Sequence, residues 1–173
     1  MQEAKINKWY FFILAFIIEF SAVFMASKGF NFLKNNIIFI HALSYILLFI
    51  GIYFNRTIFA FKIIFLGVFL NFLVIMANGG QMPVAADTMI RIGLTDNLLA
   101  IQNGKIVTHT IIGGHTALSF LGDIFAFGKP YPRPKIFSIG DVIMAVGVFI
   151  YIQKIMTKKA VKIKYLTDKG SLL

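Results

Sequence analysis

Residues 37–77 read IIFIHALSYILLFIGIYF, then NR, then TIFAFKIIFLGVFLNFLVIMA. A helix rises about 1.5 Å per residue, so about 20 apolar residues cross a hydrocarbon core of about 30 Å. Both runs meet that length. The groups in them that lipid makes expensive are His41 in the first run and Lys62 and Asn71 in the second. Only Asn55 and Arg56 part the two runs, which predicts a tight hairpin of two membrane-crossing helices.

Outward from this hairpin the pattern repeats. Residues 9–26 form an apolar run with one acid, Glu19, preceded by Lys5 and Lys8. A secretory signal has a similar outline, but Glu19 in mid-run and the bulk of Phe20, Phe24 and Met25 near its end oppose cleavage and predict a retained span. Residues 136–156 form the last run, with Asp141 in its opening turns and Gln153, Lys154 and a basic tail at its close. Composition agrees: 58% of the residues are apolar and only 14% are charged, against about 25% in soluble domains. The chain has no cysteine, which excludes disulfides, thiolate nucleophiles and thiolate metal sites. The fold class expected is all-α, a polytopic membrane helix bundle forming one integral domain over residues 1–173, with spans near 9–26, 37–54, 57–77 and 136–156.

Residues 78–135 break the pattern. Gly79, Gly80, Pro83, Asp87, Arg91, Asp96, Asn103 and Lys105 interrupt them, and residues 107–127 are only moderately apolar. This stretch is either a fifth span or an outer cap, partly re-entrant. Basic residues concentrate on the cytoplasmic side of membrane proteins. Without a fifth span that side holds Lys5, Lys8, Arg56, Lys62, Lys154, Lys158, Lys159, Lys162, Lys164 and Lys169, ten of the seventeen lysines and arginines. Four spans are therefore expected in the bacterial cytoplasmic (inner) membrane. Both termini lie inside, 157–173 being a basic cytoplasmic tail. The net charge of +10 suits anionic membrane lipids as partners and calls for no nucleic acid.

Chemistry is sought among polar groups inside lipid, where a charge costs at least about 2.5 kcal/mol. Lys62 is close enough to a helix end to snorkel. Glu19 is either a packing residue or part of a polar cavity, and His41 and Asn71 suit interhelical hydrogen bonding. Asp123 and Asp141 are the candidate catalytic pair. They lie 18 residues apart around a turn containing Pro130, Pro132 and Pro134, which lets the chain reverse and bring the carboxylates together. Adjacent carboxylates share a proton, so one takes a proton from water while the other polarises a carbonyl. Asp141 also has a structural role open to it, since Ser138 three residues earlier makes a capping box.

The segments Gly122-Asp123-Ile124-Phe125 and Phe137-Ser138-Ile139-Gly140-Asp141 resemble the C-terminal motifs of bacterial lipoprotein signal peptidases. That resemblance implies Asp123 and Asp141 as a catalytic dyad, Ser138 at the family's asparagine position, and a membrane-anchored peptide or lipoprotein as substrate, with no cofactor. A Gly-Asn-x-x-Asp-Arg stretch does not precede Asp123, where the family has one.

Residues Asn78-Gly79-Gly80-Gln81-Met82-Pro83-Val84, with Gly122-Asp123 and Gly140-Asp141, resemble a family of uncharacterised multi-pass bacterial proteins known only as a domain of unknown function. Physically, the two glycines and Pro83 are a helix stop. Asn78, Ser138 and His115 are the candidate substrate-binding residues. His109 and His115, six apart around Gly113-Gly114, lack the spacing of a metal site, and none is expected. The small residues Gly113, Gly114, Ala117 and Ser119 suit close helix packing. Two function classes follow: an aspartic-type membrane hydrolase, or a non-enzymatic protein that binds a lipid, a small molecule or a membrane partner.

Overall fold

A computed structural model describes residues 6–27 and 35–170, with side chains through residue 157 except 26 and 27. Among the described residues the first three helices are α1 (Tyr10–Ser27), α2 (Ile37–Phe54) and α3 (Phe59–Ala77). A fourth long helix, α6 (Ile139–Gly170), is the last. Their main contacts run from α1 to α2, α2 to α3 and α3 to α6, the last being the most extensive. By length and apolar content α2, α3 and residues Ile139–Thr157 of α6 are each able to cross a membrane, while Tyr10–Met25 is a shorter apolar helix. Large apolar side chains stay on the outside of this bundle, Phe16, Phe39 and Phe149 among them. In water that surface is costly; in lipid it is the expected outer face.

Three asparagines hold the bundle where side-chain volume alone does not. Fully buried Asn55, in the turn between α2 and α3, donates to the carbonyls of Asn7 and Gly51 at 2.8 Å each and accepts from the Asn7 N–H at 2.9 Å. Asn7, just ahead of α1, is thereby fastened to the end of α2. Asn78 does the same after α3, donating to Ala117 O at 2.8 Å and accepting from Ala117 N–H at 3.0 Å. Asn71 joins α3 to α6. The seam between those two helices is made of small residues: a Cβ on Gly67 would lie 2.5 Å from Gly140 O, and one on Gly147 would lie 3.1 Å from Ala60 O. The two backbones meet directly.

Between α3 and α6 lies a mixed cap. Gly79 and Gly80 take φ of +68° and +87°, and Gly80 N–H caps Ile75 O at 2.9 Å, so the glycines end α3 as their sequence predicts. Strand β1 (Met82–Val84) follows, then short helices α4 (Ala86–Arg91) and α5 (Thr95–Gln102), then β2 (His109–Ile111). β1 and β2 pair in parallel, Met82 against His109, and α4 and α5 form the crossover that a parallel pair requires. On its other side β1 meets Asp123, whose N–H donates to Pro83 O at 2.8 Å. β1 is thus the buried middle of the cap. A 3-10 turn (Ser119–Leu121) leads to an antiparallel hairpin of β3 (Phe125–Phe127) and β4 (Lys135–Phe137).

Several expectations need correcting. Residues 107–127 hold strands and a 3-10 turn rather than a fifth helical span, so the cap is not all-α. The last helix begins at Ile139, not 136, because residues 135–137 pair with β3, and its backbone stays helical through the basic tail to Gly170. Gly113 and Gly114 pack no helix; they are exposed with open space around them, and the close helix contact falls at Gly67, Gly140 and Gly147. Of the basic residues used to orient the chain, Lys5 and the side chains of Lys158, Lys159, Lys162, Lys164 and Lys169 lie outside the described residues.

Candidate functional site

The β3–β4 hairpin decides where the two aspartates go. Its register pairs Phe125 with Phe137, so Asp123, two residues before β3, and Asp141, four after β4, both emerge at the hairpin's open end. Their oxygens, however, have different partners.

Asp141 sits in a closed ring. Its backbone N–H donates to Ser138 Oγ at 3.0 Å, and its Oδ2 accepts from Ser138 N–H at 3.0 Å, which is the capping box the sequence suggests. Asn71 completes the circuit: its Nδ2 donates to Asp141 Oδ1 at 2.9 Å, and its Oδ1 accepts from Ser138 Oγ at 2.8 Å. Ser138 and Asn71 are buried, and each polar atom of their side chains has a partner. Gly140 is required here, since a Cβ at that position would overlap Asn71 Oδ1.

Asp123 is buried and less completely bonded. Its Oδ2 faces His109 Nε2 at 3.6 Å, while its Oδ1 is buried with no hydrogen-bond partner among the described residues. The other nitrogen of His109, Nδ1, lies 2.8 Å from Thr108 Oγ1. Thr108, His109 and Asp123 therefore form a line of hydroxyl, imidazole and carboxylate. His109 is one-third exposed and borders an open cleft of about 450 Å³, with Gln81, Gln102 and Thr110 also on its wall. Native proteins leave few buried polar atoms unbonded, so Asp123 Oδ1 marks a functional candidate more than a scaffold one.

Of the residues expected to bind substrate, Ser138 caps α6, Asn78 clips the end of α3 to Ala117 of the cap, and His115 is exposed in the turn at residues 113–116. His109 approaches Asp123 and His115 does not share that contact.

A second polar cluster joins α1 to α2. Glu19 Oε1 lies 2.8 Å from His41 Nδ1, and Ser44 Oγ donates to Glu19 Oε2 at 2.9 Å. His41 Nε2 is buried without a hydrogen-bond partner among the described residues. Thr108 and Ser44, which hydrogen-bond into these clusters, have no distinguishing mark in the sequence.

No solved structure matches the chain. An uncharacterised protein of Thermotoga maritima is 30% identical over 109 residues, a stretch covering 63% of this chain and 60% of the relative's own length. The model of a family of unknown function, DUF5317, matches residues 3–153. That match takes in α1, α2, α3, the whole cap and the first part of α6, and the chain belongs to the DUF5317 family.

Proposed function

We propose that the chain is an aspartic-type hydrolase of the bacterial cytoplasmic membrane, acting at the outer surface on a membrane-anchored or lipidated peptide through Asp123 and Asp141. Helices α1, α2, α3 and α6 cross the bilayer, both termini are cytoplasmic, and residues 78–135 are the outer cap. Supporting this arrangement, the Asn55–Asn7 clip holds the start of α1 beside the end of α2, on the side where Lys8, Arg56 and Lys62 gather.

The observation that carries the proposal is the unbonded, buried oxygen of Asp123 behind His109 at the edge of a cleft. In the reaction, water attacks the peptide carbonyl carbon. One aspartate, ionised, takes the water's proton while the other, protonated, gives its proton to the carbonyl oxygen. Collapse of the tetrahedral species then breaks the C–N bond and the proton passes to the leaving amine. His109, between Thr108 and Asp123, is placed to exchange protons between Asp123 and the cleft.

One observation favours a second function, binding without reaction. Both oxygens of Asp141 are engaged by donors that also build the α3–α6 junction, as a purely structural carboxylate would be. Incubation of the purified chain in detergent with a lipid-anchored peptide separates the two. Cleavage by the parent and its loss in Asp123→Asn and in Asp141→Asn support hydrolysis. An inactive parent, or active single variants, leaves the binding function in its place.

A further inference from the structure

A cavity larger than the cleft beside His109 lies far along the chain from either aspartate. It is an open groove of about 640 Å³ at the α2–α3 turn, lined by Phe49, Ile50, Phe54 and Phe65 along its length and by Arg56 and Lys62 as its only charged residues. That size is within the range of about 300–1,000 Å³ that small-molecule sites occupy. Arg56 stacks on Tyr53, its guanidinium carbon 4.1 Å from the ring centroid, which fixes the charge at the groove mouth. Lys8 Nζ approaches the neighbouring Phe54 ring at 5.9 Å. Among the described residues both ion pairs involve histidine, so Arg56, Lys62 and Lys8 have no carboxylate counter-ion.

An apolar trough whose charges all lie at one end matches one chemistry: an acyl chain joined to an anionic headgroup. We infer that this groove holds an anionic diacyl phospholipid of the cytoplasmic leaflet, an acyl chain against Phe49, Ile50 and Phe65 and the phosphate against Arg56 and Lys62. Arg suits phosphate because its planar fork donates to two oxygens at once. The inference rests on the membrane orientation proposed above and is independent of any hydrolysis. Asn55 gives the site rigidity, since it is buried and bonded to Asn7 and Gly51 directly beside Arg56.

The test is native mass spectrometry of the full chain released from mixed micelles of phosphatidylglycerol and phosphatidylcholine. Two cations at a membrane surface correspond to about a thirtyfold preference for the anionic lipid. Arg56→Gln/Lys62→Gln should lose most of that preference, and Ile50→Trp, which fills the trough and leaves the charges, should lose retained lipid of both kinds. Lys105→Gln, on the cap, is the control and should behave as the parent. Equal retention of the two lipids by the parent overturns the inference. So does a preference that survives in both groove variants, because the basic tail would then be its source. Cysteine labelling of the cap tests the orientation separately, so a wrong topology and an empty groove give different results.

Discussion

Asn71 Nδ2 donates to Asp141 Oδ1 at 2.9 Å, while Asn71 Oδ1 accepts from Ser138 Oγ at 2.8 Å, so one residue of α3 grips both members of the capping box that starts α6. A cap usually stabilises its own helix. Here it also fixes where that helix stands.

Replacing Asn71 with Ala should therefore act on two elements. The buried Ser138 O–H loses its acceptor and the half-buried Asp141 Oδ1 loses its donor, and an unsatisfied buried group costs about 1–3 kcal/mol. A lower melting temperature in detergent is expected, and a double-mutant cycle with Asp141→Asn should give a coupling of about 0.5–3 kcal/mol. Additive losses would mean that the ring does not act as a unit.

Gly140→Ala should be among the most damaging small substitutions in the chain, because the added methyl overlaps Asn71 and presses on Gly67 O at 2.8 Å. Overpacking of this kind costs about 1–3 kcal/mol. Gly113→Ala meets nothing within 4 Å and should melt like the parent. Equal melting temperatures for the two variants would show that α3 and α6 are free to separate.

The two aspartates should differ in stability even if they share a function. Asp141→Asn removes an acceptor from the capping box and should lower stability by about 1–2 kcal/mol. Asp123→Asn replaces a buried carboxylate that has one unbonded oxygen, and should leave the melting temperature within a few degrees of the parent or raise it. Cleavage of a lipid-anchored peptide should fall in both, with the double variant hardly worse than either single one. A folded, fully active Asp123→Asn would remove that residue from any catalytic role.

Because the chain has no cysteine, single introduced thiols report orientation cleanly. Lys105→Cys in the cap should react with an impermeant reagent added to intact cells, and Thr157→Cys, exposed on α6, only after lysis. The reverse pattern would invert the proposed topology.

How much of this was legible beforehand follows the range of the interactions. Helices α2 and α3 are legible because each is a long apolar run, and the two-glycine stop because it is local. The Ser138–Asp141 box is legible for the same reason, its members being three residues apart. Asn71 gives no such signal, since its partners lie 67 and 70 residues away. The His109–Asp123 contact is equally hidden: it depends on both β2 and Asp123 flanking β1, and a three-residue strand is too short to show a period. Ile136 and Phe137 read as the start of the last helix because apolar character suits both structures, and only pairing with β3 chooses the strand.

The same distance shapes how the protein must be made. Asn71 leaves the ribosome 70 residues ahead of Asp141. At about 5–20 residues per second, its amide waits about 4–14 seconds before its acceptor exists. In the proposed membrane orientation, α3 would spend that interval carrying a polar group that lipid disfavours, with the backbone at Gly67 not yet covered by Gly140. Packing against α2 would shelter it until α6 is made. On that proposal the last helix completes the third.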